Sequence, residues 1–251
     1  RPKTRAILGL MRLNFLSVPP QHDVLVVVPA RNQAQRIAAH VQALQAAGWR
    51  DVLVVDDQST DHTAQAARDA GAVVLHAPMG LEPWGSIQLG LRWAREQRYT
   101  QVITMGPDDG DVQDIPRLMA QASHDLVIGA CVQERSVLRR MVWAWFRLIT
   151  GLRIQDLTSS FRLYGREAVA VLASREATML DHQDMGTLLL LQRSKLAMVE
   201  VPVSKPSARR EGKLKSWWGT GRYLLASTLL GFSRNNVTPW RPRVLGGRHG
   251  D

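Results

Sequence analysis

The chain has 251 residues, 45% of them hydrophobic, and carries a formal net charge of +10. Its length allows one or two domains around a sizeable core, and its single cysteine, Cys131, excludes an intramolecular disulfide and fits a reducing compartment. No run of about 20 apolar residues occurs in the sequence, so we expect no transmembrane helix.

Residues 1–22 form a basic N-terminal extension with 4 basic and no acidic side chains. Its apolar part is short and is interrupted by Arg12 and Asn14. This pattern does not fit a signal peptide, which needs a longer uninterrupted apolar region.

Two strand–helix units follow the extension. The run "DVLVVVPA" (23–30) is continuous and rich in β-branched residues, which is typical of a buried parallel strand. Apolar residues at helical spacing predict a helix over 31–48, ending at a glycine. A second strand is predicted over 52–55, followed by an acidic turn (56–61) and a helix ending near Gly71, with Asp61 or Thr60 as candidate caps.

The same alternation continues to the middle of the chain. Strands are predicted over 72–77, 99–105 and 125–132, with helices over 86–97 and 114–123 between them. Strands that alternate with helices are connected by crossovers, which place neighbouring strands parallel. We therefore expect an α/β fold with a doubly wound, mostly parallel sheet.

The second half has a different pattern. A basic amphipathic helix is predicted over 136–152, and a turn or short strand that enters a helix over 158–172. A further helix is predicted over 183–195 and a closing strand over 196–203. We assign residues 23–204 to one α/β domain.

The C-terminal tail, residues 205–251, has 10 basic and 2 acidic side chains. Its longest apolar stretch, 223–232, is too short to span a bilayer and favours either a core helix or an interfacial amphipathic helix. Trp217, Trp218 and Trp240 lie near it, and tryptophan beside basic residues favours the interface. The charge suits an anionic surface: phosphates, nucleic acid or a membrane leaflet.

Polar and acidic residues follow three of the predicted strands. These segments are "PARNQ" (29–33), "DDQSTD" (56–61) and "GPDDGD" (106–111). In parallel α/β sheets, ligands bind outside the carboxyl ends of the strands, so all three segments can lie on one edge. Each of these segments, taken alone, is also explained as a turn or a helix cap. Three such segments on one edge of the sheet favour a binding site.

Four motifs give the chain a resemblance to a known family. They are "VVVPARN", "VLVVDDQSTDHT", "DLTSSFRLYGREA" and "VEVPVSKPSARREGKLK". Their order and spacing resemble those of family-2 glycosyltransferases, in particular the dolichyl-phosphate mannose synthase group with its bacterial polyprenyl-phosphate glycosyltransferases. The resemblance covers about residues 22–234. It implies a GT-A fold, a nucleotide-sugar donor linked to UDP or GDP, a polyprenyl phosphate acceptor and a Mg²⁺ or Mn²⁺ cofactor.

The resemblance also implies roles for matched residues. The nucleotide would be bound by Pro29, Ala30, Arg31, Asn32, Asp56, Asp57 and Asp61. Donor or acceptor phosphates would be bound by Arg139, Arg140, Ser160, Arg162, Arg209, Arg210 and Lys213, because cationic side chains and hydroxyls suit phosphate oxygens. The catalytic candidates are Asp184 and Asp111. Asp184 would orient the sugar or act as a base, and is alternatively a favourable acid at a helix N-terminus.

The sequence departs from the family at the metal-binding motif. The usual strand ends in Met-Asp-Ala-Asp, whereas Met105 is followed here by Gly106, Pro107 and Asp108. A shifted register, 109–113, restores Asp-x-Asp-x-Gln. The candidate metal ligands are therefore Asp108, Asp109, Asp111 and Gln113, and the alternative is a weakened or lost metal site. Two further departures are Gln33, where the family has Glu, and "EPWGS" (82–86), where it has a Gly-Lys-Gly loop.

Two main hypotheses follow. The first is an inverting, metal-dependent glycosyltransferase, cytoplasmic and peripheral at the inner face of the membrane, that glycosylates a lipid-linked phosphate. The second is a degenerate relative that acts as a scaffold for a membrane protein. Nucleic-acid binding by the tail is disfavoured, because no nucleic-acid motif accompanies its tryptophans.

Overall fold

The structure, a computed structural model, describes residues 23–131, 154, 156, 159–179 and 183–204. Seven strands form one sheet in the order β3-β2-β1-β4-β6-β5-β7. Every neighbouring pair is parallel except the two that involve β6, which runs antiparallel to both β4 and β5. The prediction of a mostly parallel α/β sheet is confirmed.

The first half alternates strands and helices as predicted. The strands are β1 (Val24–Ala30), β2 (Val52–Asp56), β3 (Val73–His76), β4 (Gln101–Thr104) and β5 (Leu126–Cys131). The helices are α1 (Ala34–Ala46), α2 (Thr63–Asp69), α3 (Glu82–Glu96) and the short α4 (Ile115–Met119), which follows a 3₁₀ turn at Val112–Asp114.

The described part of the second half completes the sheet. It contains β6 (Arg162–Gly165), α5 (Arg166–Leu172), a 3₁₀ turn at Glu176–Met179, α6 (Gln183–Arg193) and β7 (Met198–Val203). The predicted helix over 136–152 and the tail, 205–251, lie outside the described residues. No helix among the residues that the structure describes is both long enough and apolar enough to cross a bilayer.

Several helix boundaries differ from the predictions: the helix predicted over 31–48 spans Ala34–Ala46, and the one predicted over 114–123 spans Ile115–Met119. Helix α3 begins at Glu82, four residues before the predicted start at 86. Pro83 lies in its first turn, where a proline costs no hydrogen bond because the first N–H groups of a helix have no partner within it. The "EPWGS" segment is therefore part of α3.

Helices cover both faces of the sheet and create two buried clusters. Helices α3, α5 and α6 pack on one face, around Leu25, Val27 and Leu91. Helices α1, α2 and α4 pack on the other, around Val26 and Ile37. Because both faces are buried, β1 and β2 are apolar along their length rather than alternating.

Candidate active site

The ends of β1, β2 and β4 lie side by side at one edge of the sheet. β1 pairs in parallel with β2 on one side and with β4 on the other, with Ala30 opposite Asp56 and Val27 opposite Thr104. The segments after these strands therefore leave the sheet in the same direction. The structure brings "PARNQ", "DDQSTD" and "GPDDGD" to one edge.

Asn32 joins the loops after β1 and β2. Its φ is +53°, in the left-handed region that asparagine tolerates better than most residues. Its backbone N–H donates to Ser59 Oγ at 3.0 Å, and its Oδ1 accepts from the backbone N–H of Thr60 at 2.9 Å. These two bonds fix the loops relative to each other.

Asp61 links the N-termini of α1 and α2. Its Oδ2 accepts from the backbone N–H of Ala34 at 3.2 Å, and its Oδ1 accepts from the backbone N–H of Thr63 at 3.0 Å and from the Thr63 hydroxyl. The Thr63 hydroxyl is the main reason that the pKa of Asp61 lies below its ordinary value. Asp61 thus accepts from a free backbone N–H at the start of each helix. The N-cap position of α2 is occupied by His62, so neither predicted cap, Asp61 or Thr60, lies there.

Asp57 lies at the start of the loop after β2 and is 5% exposed. Its Oδ1 accepts from the backbone N–H of Leu81 at 2.8 Å, and its Oδ2 lies 3.7 Å from Arg31 Nη1. Its carboxylate therefore connects the loops that follow β1, β2 and β3.

Asp56, the last residue of β2, is 4% exposed. Its Oδ2 lies 3.1 Å from Nδ1 of His76, at the end of β3, and Nε2 of the same ring contacts Arg68 Nη2 on α2. Within the described part of the chain, Asp56 Oδ1 has no hydrogen-bond partner.

The carboxylates of the acidic loop after β4 each have a different partner. Asp108 Oδ1 lies 2.5 Å from Arg36 Nη1 on α1. Asp109 Oδ2 accepts from the backbone N–H of Gly106 at 2.6 Å, and Asp111 Oδ1 accepts from the backbone N–H of Gln113 at 2.9 Å. Among the described residues, no three histidine, cysteine or carboxylate side chains already converge on one metal position.

A polar pocket of about 510 Å³ opens between the loops after β1, β2 and β4. It is lined by Arg31, Asn32, Gln33, Ala34, Gln35, Arg36, Asp61 and Asp108. Pro29 and Ala30 lie at the end of β1 beside it and are half-buried and buried. The pocket combines two arginines with two carboxylates, which suits a ligand that carries phosphate groups and hydroxyls.

The antiparallel direction of β6 brings its first residue to the same edge. Arg162 pairs with Thr104 at the end of β4 and is 4% exposed. Just before it, the backbone carbonyl of Ser160 accepts from Thr104 Oγ1 at 2.6 Å. Ser160 and Arg162 therefore lie beside the end of β4, where the acidic loop begins, although Arg162 is buried rather than open to solvent.

The remaining predicted site residues are only partly placed. Asp184 is the second residue of α6, and its side chain is outside what the structure describes. Arg139, Arg140, Arg209, Arg210 and Lys213 lie outside the described residues. Their assignment to phosphate binding stays a prediction.

Comparison with known proteins decides the family. The sequence profile of the family described as "Glycosyl transferase family 2" matches residues 25–177, more than half of the chain. This chain belongs to glycosyltransferase family 2. The resemblance predicted from its motifs is confirmed, and the protein is a glycosyltransferase.

Two mycobacterial proteins are among the relatives of this glycosyltransferase. It is 32% identical to an uncharacterised glycosyltransferase of Mycobacterium tuberculosis, over 76% of this chain and 88% of that protein. It is 25% identical to polyprenol monophosphomannose synthase of Mycolicibacterium smegmatis, over 61% of this chain and 65% of that protein.

A solved structure agrees on the fold. Glucosyl-3-phosphoglycerate synthase from Mycobacterium tuberculosis, crystallised with Mn²⁺, UDP and phosphoglyceric acid, matches with a TM-score of 0.60 and 20% identity. The match covers 83% of this chain and 78% of that chain. It confirms the GT-A fold of this glycosyltransferase.

Sequence reasoning missed three side chains of the site: Arg36, His76 and His40. Arg36 is the partner of Asp108, and His76 is the partner of Asp56. His40 lies on α1 near the acidic loop. Burial is the main cause of its lowered pKa, and the backbone of Met105 and the charges of Asp109 and Asp108 oppose that shift. His76 could have been found from the sequence, because it is the last residue of β3 and β3 ends beside β2.

Proposed function

We propose that this glycosyltransferase moves a sugar from a nucleotide diphosphate to a polyprenyl phosphate at a membrane surface, with inversion at the sugar and with help from a divalent cation. The observation that carries the proposal is the polar pocket at the ends of β1, β2 and β4, which is lined by two arginines and two carboxylates. Lipid phosphate glycosylation is supported by the polyprenol monophosphomannose synthase relative and by a 29% identical undecaprenyl-phosphate transferase of Pseudomonas fluorescens.

The nucleotide would occupy the side of the pocket next to β1 and β2. Pro29, Ala30 and Asp56 would hold the base, and Asp57 would accept from ribose hydroxyls. Arg31 and Asn32 line the pocket and would face the phosphates. Asp61 would support the nucleotide site indirectly, because its oxygens already accept from backbone N–H groups at the N-termini of two helices.

The acidic loop has the right chemistry for Mg²⁺ or Mn²⁺. Carboxylate and amide oxygens are the ligands that hard divalent cations prefer, and Asp108, Asp109, Asp111 and Gln113 supply them. The guanidinium of Arg36 is already a cation held against Asp108, which marks this carboxylate as a place where positive charge is stabilised. A bound metal would replace that guanidinium. It would supply positive charge against the diphosphate as it leaves.

The transfer needs little proton chemistry from the protein. An oxygen of the acceptor phosphate forms a bond to C1 of the sugar, from the face opposite the leaving group. The bond from C1 to the diphosphate oxygen breaks, and the nucleoside diphosphate departs with the electron pair. Because the phosphate is already anionic, Asp184 and Asp111 would orient the sugar rather than remove a proton. Ser160 and Arg162 are placed at the edge where the acceptor phosphate would arrive.

The membrane would be engaged by the basic segments. The tail, 205–251, has 10 basic and 2 acidic side chains, and each basic residue near an anionic leaflet contributes about 1 kcal/mol of attraction. Arg139 and Arg140 precede β6, and Arg209, Arg210 and Lys213 follow β7. These five would bring positive charge to the polyprenyl phosphate. We therefore place the enzyme in the cytoplasm, peripheral at the inner membrane face, with 1–22 and 205–251 as extensions of the 23–204 domain.

The test is calorimetric titration of the full chain with UDP- and GDP-sugars, in Mn²⁺ and again in EDTA, followed by transfer of the labelled sugar to a short polyprenyl phosphate. Metal-dependent binding of one donor and labelling of the lipid are expected. A chain that binds no donor in either condition would contradict the proposal and favour the scaffold hypothesis. A chain that binds a donor but labels only a water-soluble phosphate would overturn the lipid acceptor.

A further inference from the structure

Three side chains, from α2 and from the ends of β2 and β3, form a chain of contacts. Arg68 on α2 contacts His76 Nε2, and His76 Nδ1 lies 3.1 Å from Asp56 Oδ2. The strand pairing fixes this arrangement, because Asp56 and His76 are direct partners at the ends of β2 and β3. The imidazole is therefore held between a cation and a buried carboxylate.

The chemistry of arginine decides which nitrogen of the ring has the hydrogen. A guanidinium has only donors, so the ring nitrogen that faces Arg68 must accept. Nε2 then has the free lone pair, and Nδ1 has the hydrogen and donates to Asp56 Oδ2. One oxygen of Asp56 is thus occupied by a fixed donor.

The second oxygen of Asp56 is left for a ligand. Oδ1 is buried in a residue that is 4% exposed, and it has no hydrogen-bond partner within the described residues. A buried carboxylate oxygen without a donor is costly, so an N–H from a ligand is strongly favoured there. With Oδ2 occupied, the site suits one N–H donor better than two parallel donors.

We infer that His76, oriented by Arg68, positions Asp56 to accept the single imide N–H of uracil, and so selects a uridine diphosphate donor over a guanosine one. Uracil presents one N–H flanked by two carbonyl groups. Guanine presents two parallel N–H groups, which pair best with both oxygens of a carboxylate. The inference rests on the proposed function, because it assumes that Asp56 faces the base of a nucleotide donor. His76 and Arg68 act through Asp56 and are positioning residues.

The geometry gives matched variants at position 76. The amide nitrogen of asparagine lies near the position of Nδ1, whereas that of glutamine extends to the position of Nε2. His76→Asn therefore keeps the donor to Asp56, and His76→Gln and His76→Ala lose it. Val73→Ala serves as a control on the same edge strand, and Gln65→Ala as a control beside Arg68→Ala on α2. Thermal unfolding verifies that each variant folds.

The experiment is calorimetric titration of the full chain, in Mn²⁺, with UDP, GDP and UDP methylated at N3 of uracil. The wild type is expected to bind UDP about tenfold or more tightly than either alternative, the size expected for one hydrogen bond to a charged group. His76→Asn keeps this preference, whereas His76→Ala and His76→Gln reduce it to about threefold or less. Arg68→Ala reduces the preference for UDP partly, and the controls Val73→Ala and Gln65→Ala keep the full preference.

Several results would overturn the inference while leaving the proposed function intact. They are a wild type that prefers GDP, a His76→Ala variant with full discrimination, and a His76→Gln variant equal to His76→Asn. Equal weakening of UDP and methylated UDP in His76→Ala would assign His76 a purely structural role. A wild type that binds neither UDP nor GDP would instead reject the proposed function, and the inference with it.

Discussion

Arg36 Nη1 lies 2.5 Å from Asp108 Oδ1, and this ion pair joins the first turn of α1 to the acidic loop after β4. The pair lies at the wall of the pocket and is half-exposed on the arginine side. It places a positive charge on a carboxylate that is also a candidate metal ligand. A metal ion bound by Asp108 would therefore compete with the guanidinium for the same oxygen.

Removal of this guanidinium is expected to strengthen metal binding in the absence of nucleotide. A solvent-exposed ion pair is worth up to about 1 kcal/mol, so Arg36→Ala should raise the affinity for Mn²⁺ by at most about fivefold. Mn²⁺ titration followed by electron paramagnetic resonance measures this directly. Arg31→Ala is the matched control, because it removes the same charge from the same pocket without touching Asp108. Equal effects of the two variants would contradict competition at Asp108.

Asp57→Ala is expected to abolish nucleotide binding. The substitution removes the acceptor for the Leu81 N–H and the partner of Arg31, so the loops after β1 and β3 each lose one contact with the loop after β2. We expect affinity for UDP or GDP to fall by about 100-fold or more, measured by calorimetry in Mn²⁺. Asp57→Asn, which keeps an oxygen for Leu81, should lose less. Retained binding in the alanine variant would remove Asp57 from the site.

Gly90→Ala is expected to destabilise the fold through a clash of α3 with β1. A Cβ at this position would lie 2.4 Å from Val27 Cγ1, and Val27 is fully buried. Overpacking costs about 1–3 kcal/mol, and the gain in helix propensity offsets about 1 kcal/mol of that, so we expect a net loss of up to about 2 kcal/mol in the free energy of unfolding. Urea unfolding measures it. The double variant Val27→Ala/Gly90→Ala should show favourable coupling, and additivity would contradict the clash.

The stability of the fold is expected to depend on pH through His40. Burial lowers the pKa of His40, so the folded protein binds a proton there less readily than the unfolded chain does. The neutral His40 ring contributes fully to the free energy of unfolding above about pH 6.5, the ordinary histidine pKa. This contribution is lost as the pH falls through the lowered pKa that His40 has in the folded protein. Urea unfolding of wild type and His40→Gln at pH 7.5 and pH 5.0, without metal, measures the difference. The variant should lose less stability on acidification, and equal losses would contradict the prediction.

The strands and the edge that holds the site were predictable from local pattern. Continuous β-branched runs such as 24–28 and 52–55 need burial on both faces, and only a sheet between two helix layers supplies it. Once the strands are parallel, their polar ends must share an edge. Asp56, Asp57 and the acidic loop could therefore be assigned to one site before any coordinates.

The partners within the site were not predictable, because they depend on contacts between distant segments. Nothing in "FRLYG" indicates that β6 runs antiparallel, since strand direction is decided by its neighbours β4 and β5. An arginine on an exposed helix turn, such as Arg36, usually faces solvent, and only the position of the acidic loop gives it a partner. The chemistry of the loop carboxylates could be read from sequence, whereas the direction in which each one points could not.

Strands β1 to β4 have all been synthesised when the ribosome reaches Thr104, yet β4 then has a neighbour on one side only. The next strand in the chain, β5, does not pair with the free side of β4, because β5 pairs with β6 and β7. Until Arg162–Gly165 emerges, the N–H and C=O groups along one side of β4 stay available to any other extended chain. Nascent chains that stall before this point are therefore expected to aggregate or to require a chaperone, and the acidic loop at the end of β4 acquires its final neighbours late in synthesis.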